Sequence, residues 1–182
     1  MKLTTIFALT LSLALFACSK SDDKDKGKTK AGKTASGKTA TSSAKLKAAK
    51  IASMSVAIDV PEGTKVSDDS KRAHFPSATI FASPTIFVTG KNDMFWKKDL
   101  AAQKADIQKS PGNKFKKFTK ETPAKDGFHL EYELTSMTGK PLYSFRIRRT
   151  IGGKQYDCHT NTSSPEERAK GIKMCMSLRA AK

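Results

Sequence analysis

The chain has 182 residues, with 34 Lys and Arg against 17 Asp and Glu and a formal net charge of +17. Hydrophobic residues make up 37% of it. Without the apolar first segment and the polar segment after it, about 130 residues remain, enough for one domain with one core. Beyond the first apolar run, no segment is long and apolar enough to span a membrane, which excludes a multispan membrane protein.

The first residues have the three regions of a secretory signal. A charged start at Lys2 precedes an apolar run from Ile6 to Ala17, which is too short to cross a ~30 Å hydrocarbon core. Leu15-Phe16-Ala17-Cys18 resembles the lipobox of bacterial lipoproteins. That resemblance implies removal of residues 1–17, acylation of Cys18, and a membrane-anchored protein of the cell envelope that faces the periplasm or the exterior. The alternatives are an ordinary secretory signal and an uncleaved anchor.

Residues 18–50 are predicted to be the lipidated cysteine followed by a disordered tether. From Ser19 to Lys50 there are ten lysines, three aspartates and no aromatic residue, a charge of +7, and such a segment buries too little apolar surface to offset its ordering entropy. Its Gly-Lys-Thr repeat formally matches a phosphate-binding loop, but the strand and helix that give that motif meaning are missing. Ser19 is compatible with outer-membrane sorting, by analogy with enteric lipoproteins.

Residues 51–182 are predicted to form a single α+β domain. We expect an antiparallel β-sheet, a meander, with a middle helix and a C-terminal helix packed against it. The opening strand at 56–60 ends in Pro61-Glu62-Gly63, and two further strands at 78–81 and 85–89 flank Ser83-Pro84. The middle helix is predicted to be capped by Asn92 or Asp93 and to bury four apolar side chains, Phe95, Trp96, Leu100 and Ile107.

The meander is predicted from alternation of apolar and polar residues. Strands are expected at 114–120, 128–134, 142–151 and 154–160, with Gly152-Gly153 as a hairpin turn. The pattern places these polar side chains on the solvent side: His129, Glu131, Glu133, Arg146 and Arg148.

The last predicted element is a helix that begins after Ser164. This serine can cap the helix, with Pro165 in the first helical position and Glu167 three residues after the cap. Four side chains are expected to form its buried side: Ile172, Cys175, Met176 and Leu178.

Residues 55–178 are similar in arrangement to the Mog1/PsbP-like fold. The likeness lies in an opening strand that ends in Pro-x-Gly, a middle helix, a meander, and a closing helix that ends in Ser177-Leu178. It implies a binding or assembly-factor module, and it carries over no catalytic residue.

Cys158 and Cys175 remain as an even pair once Cys18 is acylated. In an oxidising compartment such a pair predicts a disulfide, here across about 17 residues. Two free thiols and a metal site that includes His159 are the alternatives, but neighbouring strand residues point to opposite faces and do not readily converge on one ion. We predict no metal and no cofactor.

Basic side chains of the meander form a candidate surface for an anionic partner. Seven residues belong to it: Lys114, Lys116, Lys117, Lys120, Arg146, Arg148 and Arg149. In an envelope the expected partners are anionic lipid, a cell-wall polymer or an acidic protein. Nucleic acid is not expected, because the chain carries an export signal and its meander aromatics alternate inward.

The sequence therefore predicts a non-enzymatic binding or assembly module on a lipid anchor. One alternative is a small envelope hydrolase that uses Glu131 and Glu133, about 6.6 Å apart along one strand face. A less favoured alternative is a nucleic-acid-binding protein. Ion pairing of these glutamates with Arg146 and Arg148 on the neighbouring strand is the competing expectation.

Overall fold

The computed structural model describes residues 45–92 and 96–182. This described part contains ten β-strands and three α-helices. The strands are β1 Leu46–Ile51, β2 Val56–Pro61, β3 Lys65–Asp68, β4 Ser77–Phe81, β5 Ile86–Gly90, β6 Lys114–Ala124, β7 Gly127–Thr135, β8 Pro141–Ile151, β9 Lys154–Thr162 and β10 Arg179–Ala180. The helices are α1 Ser70–Ala73, α2 Leu100–Lys109 and α3 Pro165–Met176, and a 3₁₀ turn at Ala52–Met54 joins β1 to β2. None of the described helices is long and apolar enough to cross a membrane.

The strands form two sheets in which every described pair is antiparallel. The larger sheet has the order β3-β4-β5-β9-β8-β7-β6, and the smaller sheet has the order β1-β2-β10. The predicted meander β6 to β9 supplies four of the seven strands of the larger sheet, and β5 pairs with β9 to extend it. The antiparallel sheet with helices was predicted, but β3 and the smaller sheet were not, so the β structure is more extensive than expected.

The two faces of the larger sheet are covered differently. Its inner face carries Val88, Phe145 and Cys158 and packs against α3 and the smaller sheet in the main core. Its outer face is covered by α2 near β6 and β7, where Ile107 packs with the apolar side chains of β7. The described residues from 45 onward belong to one compact unit, Ser42–Lys182, with these cores inside it.

Several local predictions are confirmed. Gly152 and Gly153 both have positive φ in the β8–β9 hairpin, a conformation that favours glycine. Ser164 caps α3 by accepting a hydrogen bond from the Glu167 backbone N–H at 3.2 Å. Cys158 and Cys175 form a disulfide, with their Cα atoms 5.6 Å apart, and it links β9 to α3.

The middle helix begins later than predicted. Its cap is Asp99, which accepts a hydrogen bond from the Ala102 backbone N–H at 2.9 Å; Asn92 does not cap it, and Asp93 and Phe95 lie outside the described residues. Trp96 precedes the helix and is half-buried. A charged cap directly before Leu100 is a stronger local signal than an apolar residue at 96.

Two more boundaries differ from the sequence interpretation. Leu46 to Lys50, predicted as part of the tether, lie in β1 and pair with β2, because backbone hydrogen bonds to a neighbouring strand do not require apolar side chains. Met176, predicted to be buried, is 52% exposed at the end of α3, and Met174 is buried instead. Residues 1–44, which include Cys18 and most of the predicted tether, lie outside the described residues.

Candidate anion-binding site

The four predicted lysines lie together on β6, the edge strand of the larger sheet. Lys114, Lys116, Lys117 and Lys120 are all exposed, and we refer to them as the β6 lysine edge. Register shifts between Phe115 and Lys117 and between Phe118 and Lys120 interrupt the ladder to β7. Lysines and bulges protect an edge strand from pairing with other chains. The lysines also concentrate positive charge along one border of the sheet.

The glutamates of β7 pair with this lysine edge rather than with the arginines of β8. Lys117 lies 3.6 Å from Glu133 and Lys120 lies 3.8 Å from Glu131. Glu131 is opposite Phe145 in the β7–β8 register, so the predicted pairing with Arg146 and Arg148 is wrong. A side chain points to the same face as its register partner, and the arginines are therefore on the opposite, outer face.

Glu131 is surrounded by basic groups. In addition to Lys120, the Nε of Arg168 from α3 lies 3.3 Å from its carboxylate, and the Nε2 of His129 lies 3.1 Å away. Burial lowers the pKa of His129, and the Glu131 charge opposes that shift. The carboxylate is thus held between a lysine and an arginine, an arrangement typical of an ion-pair network.

Arg148 does not belong to the exposed basic surface, and its prediction there is wrong. Its side chain is 3% exposed. It donates from Nε and Nη2 to the two carboxylate oxygens of Asp157, at 2.7 and 3.0 Å, and from Nη1 to the Lys97 carbonyl at 2.6 Å. The guanidinium carbon lies 4.0 Å from the centroid of the Trp96 ring and 4.8 Å from that of the Phe128 ring. The outer face here is covered by the chain that leads into α2, which strand alternation alone cannot reveal.

Arg146 is partly buried on the same outer face. Its Nη1 donates to Gln103 Oε1 at 3.2 Å and to Asp157 Oδ2 at 3.3 Å. Its Nε is buried and has no hydrogen-bond partner in the part of the chain that the structure describes, and the same holds for Nδ1 of His159, which is opposite Arg146 in the β8–β9 register. Burial, with Arg146 as a second cause, lowers the pKa of His159 to about 3.

Arg149 binds backbone carbonyls at the C-terminal end of α3. It donates from Nη1 to the carbonyls of Met176 and Leu178, both at 2.7 Å. Carbonyls at a helix C-terminus lack intrahelical partners and attract cations. Of the seven predicted basic residues, the structure therefore brings together the four lysines, places Arg146 and Arg148 in a separate cluster, and assigns Arg149 to α3.

Two residues of the arginine cluster were missed by sequence reasoning. Asp157 is 2% exposed and Gln103 is 1% exposed. Asp157 could have been predicted from the sequence. Tyr156 and Cys158 face inward, so the aspartate between them faces outward, as Arg146 and Arg148 do on β8. Gln103 carries no such signal, since it depends on where α2 crosses the sheet.

Within residues 45–92 and 96–182, no three His, Cys, Asp or Glu side chains converge in a way that could hold a metal ion. The sequence matches no family model and no curated protein at a significant level.

Proposed function

We propose that this chain is a lipid-anchored bacterial envelope protein whose α+β domain is a non-enzymatic module that binds an anionic surface or partner. The anchor is Cys18 in the lipobox-like segment, with the lysine-rich tether after it. The main observation that supports a binding role is the β6 lysine edge, with its four exposed lysines along one strand. We favour anionic lipid as the partner, because a lipid anchor at Cys18 would hold the domain close to a membrane surface.

The charge balance at this border supports the proposal. The lysine edge and Arg168 supply five positive charges, and Glu131 and Glu133 supply two negative charges, so a surplus of three remains. The lysines of these two pairs are 62% and 51% exposed and lie 3.6 and 3.8 Å from the more buried glutamates, so water screens the lysine charges. Lysines near an anionic membrane contribute about 1 kcal/mol each. A lipid surface can therefore compete with the glutamates for these lysines.

The hydrolase alternative has less support. Glycosidases need one carboxylic acid that donates a proton and a second carboxylate that acts on the sugar. Glu131 and Glu133 instead lie against basic side chains at 3.1 to 3.8 Å. This arrangement favours a binding module over an acid–base pair.

The anchor is tested by measuring the intact mass of the native N-terminus. A diacylglyceryl group on Cys18 is expected, and a chain with unmodified Met1 would refute the envelope address.

The binding role is tested with vesicles and the chain from residue 19 onward, which retains every described contact. Binding to vesicles that contain phosphatidylglycerol is expected to weaken more than tenfold when the four lysines of the β6 edge become glutamine, and to fall as salt rises. The matched control replaces four exposed lysines elsewhere: Lys47, Lys71, Lys91 and Lys154. Both variants lose four charges, so equal weakening in both would show that net charge alone drives binding and that the β6 edge is not a site.

A further inference from the structure

A small cleft lies on the outer face, between α2 and strands β7 to β9. Its volume is about 140 Å³. Gln103 and Asp106 line it from α2, and Tyr132, Arg146 and Asn161 line it from the sheet. Sites for drug-sized ligands are usually ≈300–1,000 Å³, so this cleft has room for one functional group and not for a whole polymer unit.

Arg146 enters this cleft with hydrogen-bonding capacity left over. Among the described residues, both of its hydrogen bonds use Nη1, and its buried Nε has no partner. Buried side-chain donors are rarely left unsatisfied in folded proteins. The Arg146 guanidinium therefore has donor capacity that the described residues do not use.

The local charge also favours an anion. Asp157 already receives two hydrogen bonds from Arg148, so its single charge is shared between two guanidinium groups. Asp106 at the rim is paired with Lys97 at 2.8 Å. Among the described residues, three cations thus face two carboxylates, which leaves one positive charge uncompensated beside a partly buried cleft, where the local dielectric is lower than in water.

Asn161 supplies a neutral donor at the rim. Its side-chain oxygen accepts a hydrogen bond from the Ser144 hydroxyl at 2.7 Å, which leaves the amide NH₂ group available to donate. A guanidinium and an amide at one cleft are donors suited to an oxygen-bearing anion.

We propose that this cleft binds one small oxyanion, a carboxylate or phosphate group of a ligand, with the Arg146 guanidinium as its charge partner and Asn161 as a second donor. The site is separate from the β6 lysine edge, and it does not depend on binding to a membrane.

The test is an NMR titration of the chain from residue 19 onward with sodium phosphate and, separately, sodium acetate at constant ionic strength. We expect saturable shifts of the Arg146 Nε–H and the Asn161 side-chain amide, and the anion that binds more tightly identifies phosphate or carboxylate as the preferred group. The Arg146→Gln variant should bind at least tenfold more weakly, because it loses a charge-assisted hydrogen bond. Shifts that never saturate for either anion, or unchanged affinity in Arg146→Gln, would overturn the proposal.

Two further variants keep the test decisive. Arg72→Gln removes an arginine that is 81% exposed and distant in sequence from the cleft, and its affinity should equal that of the parent chain. If Arg146→Gln does not fold, Arg146→Lys keeps the charge near Asp157 but loses the planar fork, and unchanged affinity in that variant would refute the assignment. Replacement of the four β6 lysines should leave phosphate or acetate binding in the cleft intact, so failure of the membrane proposal and failure of this one are separable.

Discussion

Neutralising Asp157 is expected to destabilise the domain far more than neutralising an exposed aspartate with an equally close partner. Asp157 is 2% exposed and accepts hydrogen bonds from the guanidinium groups of both Arg146 and Arg148. The Asp157→Asn change preserves shape but removes the charge. The Arg148 guanidinium would then remain against the Trp96 and Phe128 rings with no carboxylate to compensate its charge.

The magnitude follows from the burial of this pair. Breaking a buried ion pair by removing one partner costs about 3–5 kcal/mol, because the other charge stays desolvated. For a unit of this size, about 3 °C of Tm is lost for each kcal/mol, so Tm should fall by roughly 9–15 °C. Urea unfolding followed by far-UV circular dichroism gives the change in free energy by linear extrapolation.

Asp59→Asn is the matched control. Asp59 lies 2.7 Å from Arg179, the same distance that separates Asp157 from Arg148 Nε, but its side chain is 33% exposed and that of Arg179 is 48% exposed. An exposed pair contributes about 0–1 kcal/mol. A loss in Asp157→Asn no larger than in Asp59→Asn would refute the view that burial makes the cluster important.

Three other changes have defined outcomes. Gly171→Ala should destabilise the domain by about 1–3 kcal/mol in urea unfolding despite the higher helix propensity of alanine, because a Cβ there would lie 2.7 Å from the buried Phe145 ring; a gain in stability would mean that the ring yields at no cost. Replacing both Cys158 and Cys175 by alanine should lower the free energy of unfolding by about 3 kcal/mol, since the disulfide closes a loop of 17 residues; an unchanged urea midpoint would contradict this. The pKa of His159 is lowered to about 3 in the fold, against ~6.5 unfolded, so the unfolded chain binds more protons between these values and stability should fall as pH drops through this window. His159→Phe should flatten that slope between pH 7 and pH 5, and an unchanged slope would show that the imidazole is not the responsible group.

The matched variant for Gly171→Ala is Lys170→Ala, one residue earlier on the exposed side of the same helix. It should change stability by less than about 0.5 kcal/mol, as surface substitutions usually do.

The sequence predicted the candidate site in part. The lysines of β6 were expected to be exposed, and they are. Arg148 was expected beside them by the same alternation, yet it is buried. Alternation of apolar and polar residues predicts which side chains share a face of the sheet. It does not predict whether a distant segment of the chain covers that face.

The cross-strand partners of Glu131 show the same limit. Alternation correctly gave Glu131 and Glu133 a common face, but their partners depend on the register between strands. The register aligns Lys120 with Glu131 and Phe145 on its other side. Shifting a register by one residue exchanges the two faces, and no local pattern in one strand specifies that shift.

By itself, the sequence determined the features whose causes are local. The strand β7, the Gly152-Gly153 turn, the Ser164 cap and the cysteine pair follow from alternation, backbone freedom, capping chemistry and cysteine number. Only the tertiary structure decided that β1 pairs with β2 and that Asp157 joins two arginines beneath the chain that leads into α2. The physical reason is that pairing and coverage join residues far apart in the chain, and the free energy that selects them comes from contacts no single segment contains.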